Sequence, residues 1–250
     1  MQKKIAQYLD TTLLKKEANR KEILQLVEEA KKYRVAGVCV QPGWANLVKT
    51  KLEGTGIKTI FVPNWRMGGG LKETEIDMLK ACKDDADEID YVINIYEMYE
   101  LKRWERVEKE LEFVRNNSKI LKVIIEAAYI HYNHFDERVK LIKQVIQLCN
   151  KYRVDYIKTD SGIFKRSTFK EPSGGKTVIK QGFQTLIEDV ELIKKITKLP
   201  IKAAGGIKHL YQALKLVEAG VERIGTSAAK IICDEEQVNR EYQEYKEKQK

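Results

Sequence analysis

An alternation constrains this chain more than any single motif. Short runs rich in β-branched and other apolar residues recur at positions 5–9, 38–40, 57–62, 89–95, 120–126, 156–159, 201–204 and 223–226, the first of them faint. Charged stretches of helix length separate them. Residues 21–33 place Ile23, Leu24, Val27 and Ala30 on one helical face, and residues 135–152 do the same with Val139, Ile142, Val145, Ile146 and Cys149. Strands alternating with helices in this way predict βαβ units and a parallel sheet. The crossovers are right-handed, and eight such units close into a barrel. The competing arrangement, an open doubly wound sheet, calls for a glycine-rich turn after the first strand; Asp10-Thr11-Thr12-Leu13-Leu14 stands there instead. A length of 250 residues is usual for one such barrel. The expectation is a single α/β domain over residues 1–250, a (β/α)8 TIM barrel. Its core spans residues 5–230, with a short N-terminal extension and a polar helical tail at 231–250.

Composition narrows the function classes. Hydrophobic residues make up 43% of the chain, enough for a sizeable core despite 33% charged residues. No stretch approaches the ~20 apolar residues of a membrane span, and residues 1–10 lack the apolar run of a secretory signal. Cys39, Cys82, Cys149 and Cys233 stand far apart without a CxxC pair, and the three histidines form no HExxH. Neither a disulfide framework nor a metal site is expected, which leaves a cytoplasmic protein without a cofactor. The formal charge is +9, from 46 Lys and Arg against 37 Asp and Glu. That surplus suits an anionic ligand, but the lysines are interspersed with acids, so nucleic acid is not the expected partner.

A barrel of this kind carries its active site at the C-terminal ends of the strands. The first strand ends in Asp10 and Thr12, the second in Cys39, the fourth in Asp90 and Asn94, and the fifth in Lys122 and Glu126. Lys158 and Thr159 lie on the sixth, and Lys202 on the seventh, before Ala203-Ala204-Gly205-Gly206. The eighth runs into Gly225-Thr226-Ser227. Lysine is depleted in strands and almost never buried unpaired. If Lys158 and Lys202 both face the interior, their charges oppose each other and one loses its proton to become a nucleophile. Asp90 shares a strand face with Glu88, Val92 and Asn94, which places it to relay protons or simply to pair with a lysine. Cys39 reads as packing. The glycines after the last two strands let backbone N–H groups approach an anion, the usual barrel phosphate site.

Together, the segments Leu9-Asp10-Thr11-Thr12-Leu13-Leu14, Val38-Cys39-Val40-Gln41-Pro42, Gly54-Thr55-Gly56, Ala86-Asp87-Glu88-Ile89-Asp90, Leu121-Lys122-Val123-Ile124-Ile125-Glu126, Ile157-Lys158-Thr159, Lys202-Ala203-Ala204-Gly205-Gly206-Ile207 and Arg223-Ile224-Gly225-Thr226-Ser227 resemble the deoxyribose-phosphate aldolase family, in order and over nearly the whole chain. The resemblance implies a metal-free class I aldolase that cleaves 2-deoxyribose 5-phosphate to glyceraldehyde 3-phosphate and acetaldehyde. It implies Lys158 as the Schiff-base lysine, Lys202 as the lysine that perturbs it and Asp90 as the proton-relay acid. Gly162, Gly205, Gly206 and Ser227 fall on phosphate-binding positions, and Gly225 lies in the same loop. Thr12 and Thr159 are placed to bond the substrate hydroxyl or a water. A homodimer is the family expectation.

Three departures from the family stand out. Asp160-Ser161-Gly162 replaces Ser-Thr-Gly after Lys158-Thr159, so that Asp160 either holds the lysine protonated or binds a polar substrate group. Residues 63–70 replace the usual Gly-Phe-Pro-like turn. Residues 163–182 form an unusually long basic stretch with Lys165, Arg166, Lys170, Lys176 and Lys180, either a lid over an anionic substrate or a surface insertion. These departures keep two alternatives open: a Schiff-base aldolase for another phosphorylated sugar or keto acid, and a non-catalytic barrel that binds a phosphorylated ligand.

Overall fold

The computed structural model describes residues 3–64, 73–166, 169–173 and 176–248. In chain order its strands are β1 (Leu9–Leu13), β2 (Gly37–Val40), β3 (Lys58–Phe61), β4 (Glu88–Val92), β5 (Ile120–Ile124), β6 (Tyr156–Lys158), β7 (Phe169–Ser173), β8 (Lys176–Lys180), β9 (Ile201–Ala204) and β10 (Arg223–Thr226). The helices are α1 (Arg20–Tyr33), α2 (Ala45–Leu52), α3 (Glu73–Cys82), α4 (Trp104–Asn116), α5 (Ala127–Asn133), α6 (Arg138–Lys151), α7 (Gly182–Ile196), α8 (Leu210–Glu218) and α9 (Ala229–Lys248). Eight strands close a parallel barrel in the order β1-β10-β9-β6-β5-β4-β3-β2. The expected (β/α)8 architecture is therefore present.

The first strand differs from its expected bounds. Residues Ile5–Tyr8 form a 3-10 helix, and the strand begins at Leu9. Ile5 and Leu9 are both buried, and their four-residue spacing fits one face of a helical turn as well as one face of a strand. The β-branched pair Thr11-Thr12 carries the strand instead, with Asp10 opposite Gly37 and Thr11 opposite Val38 in β2. Two positions in the helical stripes are also corrected. Val139 is 49% exposed and Leu24 only half-buried, whereas Ile23, Val27 and Ala30 of α1 and Ile142, Val145, Ile146 and Cys149 of α6 are buried.

Local signals set the helix ends. The Asn19 side chain accepts the Glu22 N–H at 3.1 Å while Asn19 N donates to Glu22 Oε2 at 3.0 Å, a reciprocal cap that starts α1. Within the stretch 163–182, β7 (Phe169–Ser173) and β8 (Lys176–Lys180) pair antiparallel, where the sequence suggests a bare loop. Of the 63–70 turn, Pro63 and Asn64 are described and 65–70 lie outside the described residues. Asn64 is buried, with its side chain bonded to the Val92 backbone N–H at 3.0 Å and C=O at 2.7 Å. The polar tail is a helix, as expected. Its first turns dock through buried Ile232 and Cys233, and Glu236 accepts the Ile5 N–H at 3.0 Å.

Alternation along the strands divides the core in two. Most buried apolar residues lie between the barrel wall and the helices. A separate cluster of Leu14, Cys39, Ile60, Val62, Val92 and Ile124 fills part of the interior. Charged side chains fill much of the rest.

Candidate active site

Strand alternation sends Asp10, Glu88, Asp90, Lys122, Lys158, Lys202 and Arg223 into one buried layer. Lys158 and Lys202 face each other in register on β6 and β9, and Asp90 is opposite Lys122 on β4 and β5. One carboxylate oxygen, Asp90 Oδ2, lies 2.8 Å from Lys158 Nζ and 2.7 Å from Lys202 Nζ. Lys202 Nζ is also 2.6 Å from Asp10 Oδ2. Arg223 bridges Asp10 and Glu88, with Nε 3.0 Å from Asp10 Oδ1 and Nη1 3.1 Å from Glu88 Oε1. Lys122 pairs with Glu88 and lies 3.5 Å from Asp90 Oδ1.

Buried charges are tolerated only when paired and hydrogen-bonded. This layer sets the cations Lys122, Lys158, Lys202 and Arg223 against the carboxylates Asp10, Glu88 and Asp90. The cations exceed the acids by one, and loss of one proton makes the layer neutral. Burial opposes ionisation of Asp90, yet Lys158, Lys202 and Lys122 outweigh it and hold the carboxyl well below the usual carboxylate range. Burial likewise opposes ionisation of Asp10, but Arg223, Lys202 and Lys122 bring it down to about 2. Burial disfavours the Lys202 cation, but Asp10 and Asp90 prevail and raise its pKa well above the ordinary lysine value. Burial lowers that of Lys122, and repulsion from Lys202 adds to the effect. Among the lysines, Lys202 is thus the firmly held cation. Lys158 ends its strand, with Asp90 as its carboxylate partner. Burial pushes the Cys39 thiol up to about 11, in keeping with a packing role.

The structure separates the other sequence candidates. Gly205 and Gly206 follow β9 with φ of +106° and +74°, a conformation that favours glycine. Their loop is tied to the one after β10, because Thr226 Oγ1 donates to Ile207 O at 2.6 Å. Ser227 is exposed just ahead of α9. Gly225 gives space to the lysine: a Cβ there would lie 3.2 Å from Lys202 Cε. The Thr159 hydroxyl bonds the backbone of Ala204, at 3.2 Å to its C=O and 3.1 Å from its N–H. Thr12 Oγ1 donates to Asp10 O at 3.1 Å.

Asp160 has other partners than those its sequence position suggests. Its Oδ1 accepts the Ala128 N–H at 2.8 Å and its Oδ2 accepts Arg166 Nη2 at 2.8 Å. The same guanidinium reaches Asp189 Oδ2 at 2.6 Å and Thr185 Oγ1 at 3.1 Å. Arg166, at the foot of the β7–β8 hairpin, is therefore a buried clamp between the barrel rim and α7.

Sequence reasoning had named Lys158, Lys202 and Asp90 but not the roles of Asp10, Glu88, Lys122 and Arg223. The signal was present, since each is a charge in a strand; what was missing was the height of each position in the barrel.

A family model described as DeoC/LacD family aldolase matches residues 4–233. A deoxyribose-phosphate aldolase of Streptococcus sanguinis is 33% identical over 244 residues, covering 96% of this chain and 100% of that protein. One from Streptococcus equi subsp. zooepidemicus is 36% identical over 243 residues, covering 95% and 99%. Among solved structures, an aldolase called QR15 aligns with a TM-score of 0.78 at 27% identity, over 95% of this chain and 97% of that one. The deoxyribose phosphate aldolase of Aeropyrum pernix, described as tetrameric, aligns with a TM-score of 0.75 at 21% identity, over 93% and 91%, and bears on the fold alone. With the barrel, its ionic interior and these matches taken together, the chain belongs to the DeoC/LacD family of aldolases.

Proposed function

We propose that this protein is a class I aldolase that reversibly cleaves 2-deoxy-D-ribose 5-phosphate to D-glyceraldehyde 3-phosphate and acetaldehyde, with Lys158 as the Schiff-base residue. The observation that carries the reading is the sharing of Asp90 Oδ2 by Lys158 and Lys202, inside a layer with one cation more than its acids. Lys202 keeps its proton, and Lys158 attacks as the neutral amine.

The Lys158 amine attacks C1 of the open-chain sugar, and loss of water from the carbinolamine gives an iminium. The iminium is the electron sink. As the proton of the C3 hydroxyl passes into the Asp90–Lys202 relay, the C2–C3 bond breaks and its electron pair forms an enamine. Glyceraldehyde 3-phosphate leaves; protonation of the enamine at C2 and hydrolysis release acetaldehyde. The covalent lysine supplies the activation, so no metal or organic cofactor enters the scheme. The phosphate is assigned to the loops of Gly162, Gly205–Gly206 and Gly225–Ser227, where backbone N–H groups and the start of α9 favour an anion. A homo-oligomer and a reducing cytoplasm complete the proposal, the latter in keeping with four free cysteines. Among the described residues, no helix is long and apolar enough to cross a membrane.

Borohydride trapping with 2-deoxyribose 5-phosphate or acetaldehyde, followed by peptide mapping, tests the reading. A reduced adduct is expected on Lys158 and is absent from Lys158→Ala. Activity intact in Lys158→Ala overturns it.

A further inference from the structure

The imine scheme requires an acid. Converting the carbinolamine to the iminium expels hydroxide unless a proton is delivered to its oxygen, and a group that delivers one near neutral pH has a pKa near neutral. Asp90 does not meet that condition, because three lysines keep it ionised. Cys39 is no better, with its thiol pushed up to about 11.

Glu126 lies two residues beyond Ile124, the last residue of β5, and Ile124 is paired in register with Lys158. Glu126 caps the start of α5 at the C-terminal end of the barrel, close enough to Asp160 and Lys158 for both charges to act on it. Its backbone adopts φ of +51° and ψ of +55°, an unusual conformation for a non-glycine residue, held by Ala127 N donating to Thr159 O at 2.9 Å. The carboxyl group is 1% exposed as part of its residue. Its Oε1 accepts the Ser161 N–H at 3.2 Å. Its Oε2 is buried with no hydrogen-bond partner among the described residues.

The groups around it act in opposite directions. Burial raises its pKa most, and the neighbouring Asp160 charge adds to that; the Ser161 bonds and the Lys158 charge lower it, leaving a value of about 7. Tyr99, from the turn after β4, donates its hydroxyl to Ile125 O at 2.7 Å. Arg166 holds Asp160 in place beside Glu126 by charge and hydrogen bond.

We propose that Glu126 is the proton donor for imine formation on Lys158. This inference rests on the reading of Lys158 as the nucleophile. Protonated Glu126 and neutral Lys158 hold together the same number of protons as ionised Glu126 and an ammonium group, so the pair reaches its reactive state by moving one proton. The amine adds to the aldehyde carbon to give the carbinolamine. The Oε2 proton passes to the carbinolamine oxygen, the C–O bond breaks and water leaves. The nitrogen lone pair becomes the C=N bond, and the Glu126 carboxylate then balances the iminium charge. In hydrolysis the carboxylate takes a proton from the attacking water and is reset.

The test is rapid-quench borohydride trapping of wild type, Glu126→Gln and Glu126→Ala with acetaldehyde and with 2-deoxyribose 5-phosphate, from pH 5.5 to 8.5. Glu126→Gln keeps the Oε1 acceptor for Ser161 and loses the proton. Its rate of imine formation is expected to fall about 10²–10⁴-fold with little change in KM. The wild-type rate of this step is expected to decline as pH rises through about 7, and that inflection disappears in Glu126→Gln. Partial rescue of Glu126→Ala by added acetate is expected as well. A Glu126→Gln rate within threefold of wild type with the inflection retained overturns the proposal. If neither variant folds, a wild-type rate that does not decline through neutral pH overturns it instead. Failure of the underlying reading looks different, because wild type then forms no adduct on Lys158 at all.

Discussion

Lys158 Nζ and Lys202 Nζ meet at a single oxygen, lying 2.8 Å and 2.7 Å from Asp90 Oδ2. Lys202 also holds Asp10, so its charge belongs to the scaffold as much as to the site. Lys202→Met removes one cation and leaves the layer with as many acids as cations. Activity at pH 7 is expected to drop by about 10²-fold or more. What remains is expected to rise with pH, because a layer with equal numbers of cations and acids sheds a proton only in alkali. A pH profile of imine trapping checks both effects, and an unchanged optimum refutes the coupling.

Asp10 neutralises Arg223 on the adjacent strand β10 and Lys202 on the next strand, β9. Asp10→Asn leaves those cations short of a carboxylate, at a cost of roughly 3–5 kcal/mol in urea unfolding at pH 7. The pH dependence has a definite sign. The folded-state pKa is lowered to about 2, so the stabilisation is fully present above the unfolded value near 3.9 and lost as pH falls through about 2. Wild type and variant should therefore converge in acid. A difference that stays constant from pH 7 to pH 2 contradicts this account.

Arg166 ties Asp160 to Asp189, with Arg138 Nη2 2.6 Å from the second oxygen of Asp189. Arg166→Met strands Asp160 without its cation and is expected to destabilise the protein by about 3 kcal/mol. It also frees the foot of the hairpin. Limited proteolysis is expected to cut between residues 163 and 182 faster than in wild type, and equal cutting rates would show that the clamp does not hold the hairpin.

Gly205→Ala places a Cβ at φ of +106°, 3.5 Å from Asp160 Oδ2. Backbone strain of about 1–2 kcal/mol is expected. If this loop holds the phosphate, KM rises for 2-deoxyribose 5-phosphate, while kcat/KM for unphosphorylated 2-deoxyribose changes little. Parallel losses on both substrates would move the phosphate elsewhere.

Gly37 faces Asp10 across the β1–β2 pairing. A Cβ there would lie 2.7 Å from Ile60 Cδ1 and 2.8 Å from Asp10 Oδ1. Gly37→Ala is expected to cost about 1–3 kcal/mol through overpacking. Thermal unfolding measures it, and a neutral result would mean that the ion pair shifts freely.

Much of this was legible in the sequence because periodicity is a local signal. Lys158 and Lys202 stood out as charges in strands, and the eight runs predicted the barrel. Residues 5–9 misled because two apolar residues four apart suit a turn as well as a strand. Asp160 misled for a different reason: its partner Arg166 is shared with Asp189 on α7, and no local pattern announces a contact of that kind. Glu126 is legible as the end of the fifth run, but its burial and left-handed backbone are not encoded by its neighbours in sequence.

The ionic layer also bears on how the chain folds. Asp10 lies on the first barrel strand and Arg223 on the last, 213 residues apart, and both sit in the same buried network. A nascent chain that ends before residue 223 leaves Asp10 with one cation fewer and its barrel open between β9 and β1. Loop-closure entropy must be met before that contact forms. Ring closure and the drying of the lysines are therefore one event, and a chain truncated before β10 lacks chemistry and stability together.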